Sequence, residues 1–212
     1  MYSGKPIIGL SGGIGAGKTF VGSLFAEFGC MVISSDALVR QVYLDSQLKG
    51  LLHDWWGDAV FDRDGEINRA AIGKMIFDCE GDRLRLEHVL HPRVAQLREE
   101  KMTAGAADGD VIAFVWDTPL LFETQLCAAC DVTVFVDAPE AIRLSRVRET
   151  RGWDTAELAR REISQLPLDK KRAISDYIVV NATNAESIRV QVRELLSRIL
   201  AGVSPGGSPG RS

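Results

Sequence analysis

Five short apolar runs punctuate the chain, at residues 6–10, 30–33, 111–116, 132–136 and 177–180. Runs of this length, bounded by glycine or polar turns, are the signature of strands buried on both faces. Between them the apolar spacing changes. Phe20, Val21, Leu24, Phe25 and Phe28 recur at helical intervals, which predicts one buried helix face, and Gly29 is a natural stop. Ile188, Val192, Leu195, Leu196 and Ile199 predict a last amphipathic helix. Strands alternating with helices in this way predict a five-stranded parallel sheet flanked by helices.

The alternation is interrupted once. Residues 34–110 carry no strand-like run. Leu48, Leu51 and Leu52 form one helical cluster, and Ile72, Met75 and Ile76 another. Leu84, Val89, Val94 and Leu97 continue in a charged stretch. His91-Pro92 is expected to end one helical run and begin the next. Residues 61–67 read as a turn. Their Asp-x-Asp-Gly is not a calcium loop, because the glycine comes too early. The segment is therefore a helical insert of about residues 37–110 in a single domain, residues 1–201, whose core is 6–36 and 111–201. Residues 202–212, rich in Gly, Ser and Pro, are expected to be a disordered tail.

Composition narrows the class. An apolar share of 46% over 212 residues can bury a sizeable core, and the net charge of −4 gives no support for binding nucleic acid through a basic surface. No run approaches the ~18 apolar residues of a membrane span, and no leader pattern opens the chain, so no membrane role and a cytoplasmic location are expected. The four cysteines include one Cys127-x-x-Cys130 pair without a second pair or neighbouring histidines, which reads as packing beside a strand.

The chemistry begins after the first run. Residues 12–19, Gly-Gly-Ile-Gly-Ala-Gly-Lys-Thr, match G-x-x-x-x-G-K-[ST] between a strand and a helix. Such a loop turns its N–H groups inward as an anion nest, and the helix dipole adds to it. Gly13, Gly15, Ala16, Gly17, Lys18, Thr19 and Phe20 are the candidate ATP contacts. Lys18 can reach the β- and γ-phosphates, and Thr19 can offer its hydroxyl to Mg²⁺. Asp117, at the end of the third run, occupies the place of an acidic Mg²⁺ holder. Pro119 fixes the turn that follows.

Asp36, after the second run, suits either an acceptor hydroxyl or a helix N-cap. The arginines at 143, 146, 148, 151, 160 and 161 suit a mobile helical lid, with one or two working on phosphate and the rest solvated. Asp154 with Glu157 marks a helix start, and Glu157 can pair with Arg161. Lys170-Lys171-Arg172 reads as a solvated face. His88 and His91 share a helix face without making a metal site. His91 suits a substrate phosphate or a structural role.

Taken together, the phosphate loop, Asp64-Gly-Glu-Ile-Asn-Arg69, Leu90-His-Pro92, Pro119-Leu-Leu-Phe-Glu123, and Gln165 with Lys171, residues 175–177 and Asn181 resemble the dephospho-CoA kinase family from Ile7 to about Leu200. The resemblance implies a P-loop kinase fold with a helical substrate-binding insert and a helical lid of about residues 146–168. It implies transfer of the ATP γ-phosphoryl group to the ribose 3′-hydroxyl of dephospho-CoA, the last step of coenzyme A synthesis. Lys18, Asp36 and Arg146 would be catalytic, Thr19 and Asp117 would hold Mg²⁺, and Arg40, His91, Pro119 and Leu120 would join Asp36 at the acceptor.

The chain departs from the family pattern in three places. Ser34 stands where the first Asp of an Asp-x-Asp is usual. Asp36, two residues on and on the same face if the strand continues, remains as the carboxylate. Arg151 is offset by one from the usual second lid arginine, and Thr183 replaces a glycine. Another small-molecule or nucleotide kinase, or a nucleotide-binding relative with weakened catalysis, stands as the alternative. A GTPase-like switch would want Asn-Lys-x-Asp, which the chain lacks.

Overall fold

A computed structural model describes residues 1–163 and 165–202. The expected tail, residues 202–212, lies outside the described residues from position 203 onward. Five strands form one parallel sheet: β1 (Ile7–Gly12), β2 (Cys30–Ser34), β3 (Ala113–Asp117), β4 (Val132–Asp137) and β5 (Tyr177–Val180), in the order β2-β3-β1-β4-β5. β1 is central and buried along its whole length, which explains why its run reads as continuous apolar sequence. The chain leaves β1 toward one side of the sheet and later returns to the other. The crevice beyond the end of β1 is thus the switch point at which open α/β sheets bind ligands.

Helix α1 (Lys18–Glu27) follows β1 and buries Val21, Leu24 and Phe25 against the sheet. Phe20 does not join them. It is 38% exposed, because the buried stripe centres on Val21 and the residue before it steps off that face. Gly29, at φ +87°, turns the chain into β2. Ile8, Leu10, Val134, Val136 and Val179 of the sheet meet Phe25 on α1 and Val192 and Leu196 from the C-terminal helix Ala185–Leu200 in one core. The side chain of Phe25 is fully buried. Phe25→Ala is expected to cost about 3–5 kcal/mol in denaturant unfolding.

The chain divides into two compact units, Met1–Ser34 with residues from Ala104 onward, and Ser35–Thr103. The second unit contains α2 (Ser35–Val42), α3 (Ser46–Trp56), a 3-10 turn at Gly57–Val60, α4 (Arg69–Asp78) and most of α5 (Glu80–Ala107). Asp45 and Asn68 cap α3 and α4 by accepting from backbone N–H groups. The turn at 61–67 forms as its sequence predicts. Asp62 Oδ1 accepts from the N–H of Asp64 at 3.0 Å and of Glu66 at 2.9 Å, and Gly65 takes φ +75°.

Pro92 does not divide α5, which runs unbroken through it. Proline removes the bond to the carbonyl four residues back. Arg93 donates to the neighbouring Val89 carbonyl at 3.2 Å, and the buried row Leu86, Leu90, Val94, Met102 keeps helical spacing on both sides. Packing therefore outweighs the local break. Leu84 is exposed rather than part of that row.

In the first unit, α6 (Glu140–Arg151) follows β4. It is succeeded by α7 (Thr155–Glu162), α8 (Leu168–Ile174), β5 and α9 (Ala185–Leu200). Asp154 caps α7 by accepting from the Glu157 N–H at 2.8 Å. Glu157 pairs with both Arg160 and Arg161, whose hydrogen bonds pull its carboxyl down to about 2. The Trp153 ring lies under the guanidinium groups of Arg151 and Arg161, at 4.8 and 4.2 Å, which ties the α6–α7 turn together.

Candidate active site

The loop after β1 has the backbone its glycines predict. Gly15 and Gly17 take φ +77° and +86°. A Cβ on Gly15 would stand 2.6 Å from the Arg143 carbonyl, and one on Gly17 would collide with the Asn181 amide, so side chains are excluded twice over at both. Gly17 precedes α1 directly, and the helix N-terminus opens into the loop. Lys18 Nζ donates to the carbonyls of Gly12 at 3.0 Å and Gly13 at 3.3 Å, which holds its charge over the first turn of the loop.

Three side chains grip the loop from outside. Arg146 donates to the carbonyls of Gly15 at 3.4 Å and Ala16 at 3.2 Å, and to the Asn181 carbonyl and Oδ1, each at 3.2 Å. Asn181, itself buried, donates from Nδ2 to the Ala16 carbonyl at 2.7 Å. Arg143 donates to the Ile14 carbonyl at 3.2 Å and is paired with Glu162 of α7. Sequence reasoning singled out Arg146 and left Arg143, which is 6% exposed, undistinguished among the other lid arginines. Its signal was helical spacing: it lies one turn before Val147, the other buried residue of α6.

Thr19 Oγ1 donates to Asp117 Oδ2 at 3.3 Å. A hydroxyl and a carboxylate at adjoining strand and helix ends are the hard oxygen donors that Mg²⁺ takes from a protein, with phosphate and water supplying the rest. The residues present therefore fit this ion. Among the described residues no cluster of three or more His, Cys, Asp or Glu offers a closed metal cage. Cys127 and Cys130 are not joined in a disulfide. Cys130 is buried beside Gly9 of β1, as the packing reading expects.

Ser34 is the register partner of Asp117 across β2 and β3. Asp36 is not a further strand residue. β2 ends at Ser34, and Asp36 is the second residue of α2, exposed in its first turn. The two-residue strand alternation therefore does not relate it to Ser34, and it sits inside the helix rather than at the N-cap. A carboxylate there still complements the helix dipole.

After β3, Thr118 and Leu121 are buried while Leu120 is 39% exposed and Pro119 half-buried. The Pro119 carbonyl accepts from Lys171 Nζ at 3.3 Å. Lys171 is thus no part of a solvated face. Its side chain is 0% exposed, while Lys170 and Arg172 on either side face solvent.

The second unit has a cleft of its own, about 530 Å³, lined chiefly by Arg40, Tyr43, Leu44, Glu66, Ile67 and Arg69. The Arg69 guanidinium lies 5.7 Å from the Tyr43 ring centre. Burial pushes the Tyr43 phenol up, and the Arg69 charge opposes that rise. Two arginines beside Leu44 and Ile67 suit a ligand with both phosphate and apolar parts. Arg40 lines this cleft and His91 does not. His91 lies exposed on α5.

The family model described as dephospho-CoA kinase matches residues 6–187, through both units. The chain belongs to the dephospho-CoA kinase family. It is 34% identical over 198 residues to a dephospho-CoA kinase of Syntrophotalea carbinolica, covering 93% of each chain. It is 36% identical over 197 residues to a dephospho-CoA kinase of Anaeromyxobacter dehalogenans, covering 92% of this chain and 93% of that one. A crystal structure from Thermus thermophilus superposes with a TM-score of 0.79 at 28% identity, over 94% of this chain and 98% of that one. The parallel sheet, phosphate loop and flanking helices are those of a P-loop kinase. Among the described residues no helix is long and apolar enough to cross a membrane.

Proposed function

We propose that the protein is an ATP-dependent dephospho-CoA kinase, transferring the γ-phosphoryl group to the ribose 3′-hydroxyl to give CoA and ADP. The observation that carries the reading is the Thr19–Asp117 contact beside a phosphate loop, in a chain whose family match continues through the helical insert. The bond from the 3′-oxygen to the γ-phosphorus forms as the bond to the β,γ-bridging oxygen breaks, and ADP leaves.

Lys18 and the amides from Gly13 to Phe20 hold the phosphates. Thr19 and Asp117 hold Mg²⁺, which supplies charge neutralisation when bound. Arg146, from the α6–α7 arm that serves as lid, would meet the charge that develops at the phosphoryl group once closure takes its guanidinium off the Gly15, Ala16 and Asn181 oxygens. Asp36 orients the 3′-hydroxyl and takes its proton. Arg40 in its cleft, His91, Pro119 and Leu120 contact the acceptor. Closure of the arm would keep water from competing with the hydroxyl. The substrates are free in the cytoplasm on this reading, with no nucleic-acid partner.

An assay of ADP release across acceptors tests it. Turnover is expected with dephospho-CoA and not with nucleoside monophosphates. The opposite pattern would assign the chain another small-molecule acceptor.

A further inference from the structure

Lys171 is the one fully buried lysine among the described residues, and the phosphate chemistry does not use it. Its Nζ lies 2.8 Å from Glu123 Oε1, 3.2 Å from Gln165 Oε1 and 3.3 Å from the Pro119 carbonyl. Glu123 Oε1 also accepts from the Leu166 N–H at 2.8 Å. Burial alone would push the Glu123 carboxyl up. The Lys171 hydrogen bond and the N–H donors reverse this and hold it below the usual carboxylate range.

Glu123 Oε2 is buried with no hydrogen-bond partner among the described residues. Stability alone does not account for a buried ion pair. A well-packed apolar pair of similar volume commonly does as well or better. What the pair does supply is fixed geometry between two segments. One is the loop 119–123, which leads directly out of β3 and Asp117. The other is the return at Gln165 and Leu166, where the α6–α7 arm carrying Arg143 and Arg146 rejoins the core. Leu121, between the two anchored ends of the first segment, is buried against Gly9 of β1, so the whole loop is held.

We propose that Lys171 and Glu123 are a positioning pair that locks the loop after Asp117 to the base of the arginine-bearing arm, so that phosphoryl transfer, and not ATP binding, depends on it. The inference rests on the dephospho-CoA kinase reading.

Three variants test it: Lys171→Met, Glu123→Gln, and the double variant Lys171→Met with Glu123→Leu. The Lys171→Met variant strands a half-buried carboxylate and should melt below the wild type. The double variant should recover most of that loss, because neither charge remains. Glu123→Gln keeps the shape and the acceptor for Leu166, and is the variant to use should the double variant stay unfolded.

In each variant that is folded at the assay temperature, kcat with dephospho-CoA is expected to fall about 10- to 100-fold while KM for ATP stays within about threefold. A folded double variant, or a folded Glu123→Gln protein, with wild-type kcat would overturn the proposal. So would kcat and KM for ATP worsening together, because that is the pattern of a loosened fold. A wild-type protein that fails to turn over dephospho-CoA would instead count against the functional reading.

Discussion

Lys18→Ala is expected to lower phosphoryl transfer by about 10³-fold or more, with the melting temperature close to that of the wild type. The two halves of this expectation come from the same contacts. Lys18 Nζ bonds the Gly12 and Gly13 carbonyls. The rest of the loop is held independently by Arg143, Arg146 and Asn181. Removing the ammonium therefore leaves the loop's outer grip intact and takes away only the charge facing the phosphates. Steady-state kinetics with ATP and dephospho-CoA, beside a melting curve, measure both. A variant that transfers at the wild-type rate would remove Lys18 from the reaction, and one that fails to fold would make the loop's own bonds to it structural.

Asp36→Asn is expected to reduce kcat by about 10²–10⁴-fold with little change in KM for ATP. A serine at position 34 cannot take a proton near neutral pH. Asp36 is the carboxylate next along the chain, and its exposed place in the first turn of α2 leaves it free of any fold-supporting burial. The asparagine keeps size and hydrogen bonding but cannot accept the proton. An unchanged kcat would mean that a loose transition state needs the hydroxyl placed and not deprotonated.

The sheet was legible because a strand buried on both faces has a short apolar run and little else to say. All five such runs became strands. The phosphate loop was legible for a different reason: its backbone conformation demands particular glycines. The misreadings share a cause, which is that tertiary surroundings decide what a local pattern means. Lys171 sits in a Lys-Lys-Arg triplet that looks solvated. Even a helix as short as α8 turns one residue, Lys171, inward, and Glu123, 48 positions away in sequence, shows how a lysine can be satisfied there. Arg143 resembles its exposed neighbours until Glu162 and the Ile14 carbonyl appear. Pro92 reads as a break, yet the packed row on α5 carries the helix through it. The sequence around Asp36 reads as the end of a strand or a cap. Neither reading could see that β2 passes into α2 without an intervening turn.

The outward-facing carbonyls of the phosphate loop have an entropic consequence. Ile14, Gly15 and Ala16 are each bonded through oxygen to Arg143, Arg146 or Asn181. A loop pinned by its acceptors has already given up the conformational freedom that a loose glycine-rich segment would surrender on meeting a triphosphate. Nucleotide association should then be fast, show a small ordering penalty in calorimetry, and leave the loop's amide exchange nearly as slow before binding as after it. The glycines that let the chain take this shape would be the least mobile among the described glycines.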